Sequence, residues 1–159
     1  MAYPVYLVLR GKNQGLISAG CSSVDSIGNR HQIGHEDEIQ VLSLTNGSFR
    51  TQNASYQPIT FTKPIDKSSP LLSTALDTNE ILEAKFVFYR TSQHGQLESY
   101  YEIKLTEVSL TEVSEIYPDS INNNESMPYQ RIQMKFVSIS RNHLKGSTSG
   151  YSINSDMIR

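Results

Sequence analysis

His31 and His35 stand four residues apart with Glu36 and Asp37 beside them, which would make a small metal site if one helical face carried both imidazoles. Gly34 directly precedes His35 and no helical apolar period runs through the segment, so a solvated loop is expected instead. His94 falls in the turn Gln93-His94-Gly95, and His143 follows a strand pattern whose sheet it would cap or cover. Cys21 is the only cysteine, which rules out an intramolecular disulfide and a cysteine-rich zinc site; it reads as a small, semi-buried residue. The carboxylates Asp25, Asp66, Glu107 and Glu112 sit in plain polar or strand contexts, where paired acid–base work would need tertiary proximity. No Gly-x-Ser-x-Gly elbow and no P-loop is present, and Gly11 with Gly15 makes no dinucleotide fingerprint. The residues assign no catalytic, cofactor or metal site, and the expectation is a protein that is not an enzyme and needs no cofactor.

Composition narrows the classes further. A chain of 159 residues is read as one domain, 1–159, large enough to bury a core without staples. A net charge of −2 shows no footprint for nucleic acid or an anionic membrane. No apolar run approaches the ~20 residues of a bilayer span, so membrane insertion is not expected. Tyr3 to Leu9 is apolar but short, lacks a basic flank and meets Arg10-Gly11-Lys12, unlike a signal peptide. The protein is expected in the cytoplasm, and to leave it only by a route that reads no cleavable signal.

The elements available to position anything are mostly strands. Val5 to Leu9 is apolar on both faces, and Gly11 to Gly34 reads as a long excursion of loops with one short strand. Ile39 to Leu44 is a strand whose apolar residues shift phase, from Ile39 and Val41 to Leu42 and Leu44, as at a bulge or with burial on both faces. Asn46-Gly47 suits a hairpin turn, and the residues from there to Gln57 read as a projecting loop. Ile59 and Phe61 alternate with Thr60 and Thr62 until Pro64, which ends the strand or sets it at an edge. Ser69 reads as an N-cap with Pro70 at the first helical position, and Leu71, Leu72, Ala75 and Leu76 give one apolar stripe. Asp66 suits the turn or the positive end of that helix. Leu82, Ala84, Phe86 and Phe88 line the next strand; Val108 and Leu110 fall out of phase with Tyr101, Ile103 and Leu105, placing a bulge near Thr106-Glu107. Tyr129 to Ile139 is a final strand with Ile132, Met134 and Phe136 inward, and the Ser/Gly-rich stretch 146–159 is expected as a flexible tail ordered only in an assembly. The pattern is mainly β: antiparallel sheet, closed as a barrel or folded as a sandwich, with one short helix.

Three places carry a family resemblance. Met1-Ala2-Tyr3-Pro4-Val5-Tyr6-Leu7 opens the first strand, Phe86-Val87-Phe88-Tyr89-Arg90 lies in the strand after the helix, and between them stands Lys63-Pro64-Ile65-Asp66-Lys67-Ser68-Ser69-Pro70-Leu71. The last segment is the most specific, and it is similar to the pattern K-x-I-D-x-S-S-P-x-L of the Hcp family, the hemolysin-coregulated proteins of type VI secretion systems. Its residues Lys63, Ile65, Asp66, Ser68, Ser69, Pro70 and Leu71 are taken as structural. Gly15-Leu16-Ile17-Ser18-Ala19-Gly20-Cys21-Ser22-Ser23 resembles a divergent branch whose longer members carry C-terminal toxin domains; no such extension is expected here.

The resemblance implies an antiparallel β-barrel, related to tail-tube proteins and flanked by one short helix. It also implies assembly with itself into hexameric rings that stack into a tube. A contractile sheath encloses that tube, a spike tips it, and effector proteins ride in its lumen as cargo. Phe49, Arg50 and Tyr56 in the projecting loop are the candidates for ring stacking. Three rivals share the pattern: a monomeric β-sandwich that binds a ligand through its loops, a secreted effector in its own right, and a phage-type tube subunit. The first predicts a monomer with a concave aromatic patch.

Overall fold

The computed structural model describes residues 3–28, 32–122 and 127–154. Within them the period-two runs form twelve strands: β1 (Val5–Gly11), β2 (Gly15–Leu16), β3 (Ile39–Val41), β4 (Ser43–Thr45), β5 (Ser48–Arg50), β6 (Ala54–Tyr56), β7 (Ile59–Pro64), β8 (Leu82–Thr91), β9 (Leu97–Ile116), β10 (Tyr129–Lys135), β11 (Ser138–His143) and β12 (Thr148–Ile153). Two helices join them, the single-turn α1 (Val24–Ile27) and α2 (Ser69–Thr78). The main sheet runs β2-β1-β8-β9-β10-β7-β4, antiparallel throughout.

A strand that changes partner joins the two ends of this sheet. β3 pairs with β1 through Val5↔Val41 and Leu7↔Ile39, while β4 pairs with β7 through Ser43↔Thr62 and Thr45↔Thr60. Leu42, between them, donates its N–H to the Thr62 carbonyl at 2.8 Å. The fold is a barrel-like β structure whose wall closes at a bend, not by an unbroken ladder. The partner change explains the phase shift of the sequence in place of a bulge, while β3 itself is buried on both faces. Val41 is buried, Leu42 turns outward at 41 % exposure, and Leu44 returns to the core.

Inside the wall the space is filled. Phe61 from β7 meets Phe86 from β8 edge-to-face, ring centres 5.4 Å apart, although the two strands are not neighbours in the sheet. Leu7, Leu9, Ile132 and Met134 complete the interior with no exposed surface.

β9 is long enough to serve two sets of partners, and bulges set its alternation. Its ladder with β8 steps from Ala84↔Leu105 to Leu82↔Val108, with Glu107 at φ +50° as the extra residue. Leu105 and Val108, three apart, therefore both face inward. A second slip, between Gln133↔Glu112 and Met134↔Leu110, lets Val113 pack against the same core as Leu110. The pentapeptide Leu-Thr-Glu-Val-Ser, which stands at 105–109 and again at 110–114, thus carries a bulge in each copy.

Several expectations need correction. Asn46-Gly47 links β4 to β5 and does not close a hairpin; β5 and β6 pair with each other around 51–53. The expected final strand breaks at Phe136-Val137 into β10 and β11, which pair with successive parts of β9. The stretch expected as a flexible tail contains β12, paired with β11 from His143↔Thr148 to Ser138↔Ile153. Backbone pairing orders that strand, because its side chains are mostly exposed. Residues 155–159, like Met1, Ala2 and His31, lie outside the described residues.

The last residue of β1 is glycine for a steric reason. A Cβ there would lie 2.1 Å from Glu80 Oε2, which itself accepts the backbone N–H groups of Asn13 and Gln14 at 2.9 Å each. Gly11→Ala should lower the unfolding free energy by roughly 1–3 kcal/mol as those half-buried bonds are displaced. Gly150→Ala, with open space at its Cβ, should change it little; urea denaturation of both variants checks the contrast.

Candidate functional site

The family-like segment builds a sealed polar cluster where β7 hands over to α2. Pro64 ends the strand, and the chain turns so that Lys63, Asp66, Ser68 and Ser69 point inward while Lys67 and Pro70 face solvent. Lys63 has no exposed surface, and its ammonium lies 2.9 Å from Asp66 Oδ1, 2.8 Å from Gln130 Oε1 and 2.9 Å from the Pro64 carbonyl. The Ser69 hydroxyl accepts the Asp66 N–H at 3.0 Å and donates to Gln130 Oε1 at 2.8 Å. Asp66 Oδ1 in turn accepts the Ser68 N–H at 2.9 Å and its hydroxyl at 2.5 Å. Burial pushes the Lys63 pKa below the ordinary lysine range, and the adjoining Asp66 carboxylate works against that shift.

Helix α2 begins one residue earlier than the sequence implied. Ser68 is its N-cap and Ser69 its first residue, followed by Pro70. Ser69 does not cap because its hydroxyl is spent on Asp66 and Gln130. Of the expected stripe, Leu72 and Ala75 are buried and Leu76 packs against the core, while Leu71 lies at the rim at 37 % exposure. Ile65 is half-buried in the turn.

Gln130 is the member of this cluster that the sequence reading missed. It stands opposite Lys63 on β10, on the same inward face as Ile132 and Met134. A polar residue at an inward position of an alternating strand was the available signal.

Cys21 packs beside the cluster and donates its S–H to the Ile17 carbonyl at 3.4 Å. Burial, with the nearby Asp66 charge, pushes its thiol pKa up to about 11. His35 packs on the sheet and is not in the solvated loop expected: its ring stacks on Tyr6 at 4.1 Å, meets Tyr89 edge-on, and sets Nδ1 3.3 Å from Glu38 Oε2. His143 covers the sheet against Tyr100 and Tyr101, and accepts the Gly146 N–H. Among the described residues no three His, Cys, Asp or Glu side chains are grouped to hold a metal ion, and no helix is long and apolar enough to cross a membrane. A lysine sealed this way offers a substrate no access; the cluster can orient a turn.

The second candidate region is the β5–β6 hairpin. Its three pairs, Ser48↔Tyr56 to Arg50↔Ala54, form a two-stranded sheet apart from the main one. Phe49 is 63 % exposed and Arg50 is also exposed. Tyr56 is different: half-buried, it packs on Phe136 with ring centres 5.8 Å apart and ties the hairpin to the core.

The model of the family described as "Type VI secretion system effector, Hcp" matches residues 6–143. The Major exported protein of Pseudomonas aeruginosa is 35 % identical over 72 % of this chain and 73 % of its own length. The protein YhhZ of Escherichia coli K12 is 43 % identical over 86 % of this chain, which spans only 34 % of that relative's length. Two solved structures superpose closely, each over 96 % of this chain and 98 % of the other. One, described as an Hcp protein, has TM-score 0.91 at 29 % identity; the second, the secreted protein Hcp3 from Pseudomonas aeruginosa, has 0.87 at 31 %.

Lys63→Met would leave Asp66 as an uncompensated buried charge, and should cost roughly 3–5 kcal/mol in chemical denaturation. Pairing it with Asp66→Asn should cost clearly less than the two single changes added together. Cys21 should resist a thiolate-selective reagent in the native protein at pH 8 and react fully once unfolded. Since its folded pKa of about 11 exceeds the ordinary 9.0, the unfolded chain loses this proton first. Its contribution to stability should therefore fall as pH rises from 9.0 towards 11, a dependence that a Cys21→Ala variant lacks.

Proposed function

The chain belongs to the Hcp family of type VI secretion proteins, and from that premise we propose that it is a structural subunit of the secretion tube. Six copies close a ring, rings stack into a tube, and effector proteins travel in its lumen. The tube is enclosed by a sheath and tipped by a spike, then expelled from the cytoplasm. The role is mechanical and associative, with no catalysis, cofactor, nucleic acid or membrane insertion. The observation that carries this reading is the match of the whole fold to Hcp structures, together with a buried polar cluster that has no route for substrate.

Physical features agree with it. A head-to-tail contact repeated around an axis forms a closed ring only when its rotation closes, which demands a rigid protomer. The filled interior and the buried Lys63–Asp66 pair supply that rigidity. Stacking needs a projection, and the β5–β6 hairpin presents Phe49 and Arg50 at its surface, with Tyr56 as its anchor.

The test is the solution mass by native mass spectrometry, with negative-stain images of the same sample. The expected result is a species of six protomers with ring-shaped particles. A monomer at every concentration, without rings, would sink the tube reading in favour of a ligand-binding module or an effector. Phe49→Ala/Arg50→Ala should leave single rings intact and shorten or abolish stacks in the images, whereas Tyr56→Ala should loosen the hairpin and lower thermal stability as well.

A further inference from the structure

Among the described residues, β12 leaves the longest unfinished edge. The strand spans six residues and pairs only with β11. The other described strands with a single partner run two or three residues. Native edges of this length are ordinarily guarded by charge, by proline or by a bulge. Thr148-Ser149-Gly150-Tyr151-Ser152-Ile153 has no charged residue and no proline, and its ladder with β11 runs without a slip. Tyr151 is 67 % exposed on it and Ile153 49 %. The bonds beside β11 fix which backbone groups are open. Leu144 donates its N–H to the Tyr100 carbonyl at 2.8 Å, and Asn154 donates to the Val137 carbonyl at 2.7 Å. Antiparallel alternation then gives Ser138, Ser140 and Asn142 to β9, and Ile139, Arg141 and His143 to β12. Thr148, Gly150 and Ser152 are the residues that bond back to β11. The N–H and C=O groups of Ser149, Tyr151 and Ile153 point the other way and meet no partner among the described residues.

A second open edge lies across the full width of the same sheet. One row of paired residues runs from Val41 on β3 through Val5, Phe88, Tyr101 and His143 to Thr148 on β12. Five strand spacings, roughly 24 Å, separate the two ends of that row. Just past Val41 the chain passes through Leu42 into β4, which pairs with β7 alone. β4 likewise carries no charge and no proline, its Ser43 and Thr45 are exposed, and Leu42 is exposed beside it. The two edges therefore stand on opposite sides of the protomer, and a strand added to one leaves the other open.

We propose that β12 of one copy pairs, backbone to backbone, with β4 of a second copy of this chain, so that the sheet of one protomer runs on into the next. The inference rests on the tube reading and names the strands of its ring contact. The contact is heterologous, because each copy gives β12 to one neighbour and β4 to the other. Such a repeat is the kind that closes into rings. Backbone groups of Ser149, Tyr151 and Ile153 supply donors and acceptors to the added strand, and Tyr151, Ile153 and Leu42 lose exposed apolar surface in it.

Tyr151→Pro removes an outward N–H and leaves the bonds to β11 in place, so circular dichroism should show a folded protomer. Its rings, read by native mass spectrometry, should need at least about tenfold more protein than those of the wild type. Tyr151→Phe, which keeps the N–H, should assemble like the wild type. Ser43→Lys/Thr45→Lys should weaken rings as Tyr151→Pro does, by charging the other edge. If Tyr151→Pro unfolds, Tyr151→Lys charges the same edge and keeps the N–H. In wild-type rings amide exchange should be slow at each of Ser149, Gly150, Tyr151, Ser152 and Ile153. Fast exchange at Ser149, Tyr151 and Ile153 between slow neighbours would overturn the pairing. So would undiminished rings in Tyr151→Pro or in the lysine variant, or dimers of the lysine variant, which would mean that β12 pairs with β12. Each of these results leaves the tube reading standing. Wild-type protein that never forms rings would overturn the tube reading, and the pairing with it.

Discussion

A single buried ammonium ties this fold together at its most constrained point. Lys63 leaves β7 facing inward, where only Asp66, Gln130, Ser69 and the Pro64 carbonyl can satisfy it. Those partners come from the turn, from helix α2 and from β10, three elements that apolar packing alone would not hold in one register. A buried charge is costly to strand, so its partners must be present together or the local structure fails. In exchange for that cost the helix start, the strand end and the neighbouring strand share one geometry. The family-like segment is therefore an architectural joint.

The same dependence runs outward from the joint. α2 leads to Glu80, which fastens the turn after β1 and occupies the space that Gly11 leaves open. β10 extends along β9, whose bulges keep residues three apart on one face and let a single long strand serve two parts of the wall. Leu42 closes the circuit by passing the chain from one edge of the sheet to the other. A wall built this way has few soft places, and its freely projecting parts are loops and the β5–β6 hairpin. The tube role proposed for this chain would use this division between a stiff body and specific surface projections.

Charge is arranged at the surface with equal economy. The histidine that looked most like a metal ligand instead pins an acidic segment to the tyrosines of β1 and β8. That packing covers the Tyr6 end of the outer sheet face with a segment that carries Glu36, Asp37 and Glu38.

The longer strands β1, β7, β8 and β9, the helix after Pro70, the bulge near Glu107 and the family resemblance were legible in the sequence, because each depends on local periodicity, on proline chemistry or on a short motif. Lys63 and Asp66 could be named from that motif, and the absence of a familiar catalytic pattern could be read directly. What could not be read was who meets whom across the interior. Nothing in the local pattern marked Gln130 or Glu80, and the phase shift at Leu42 read as a bulge or burial on both faces. Each is decided by contacts between residues distant along the chain. The order of β12 was hidden for a related reason: its hydrogen bonds are made by backbone, which every residue carries, and the partner strand that accepts them exists only once β11 has settled on β9.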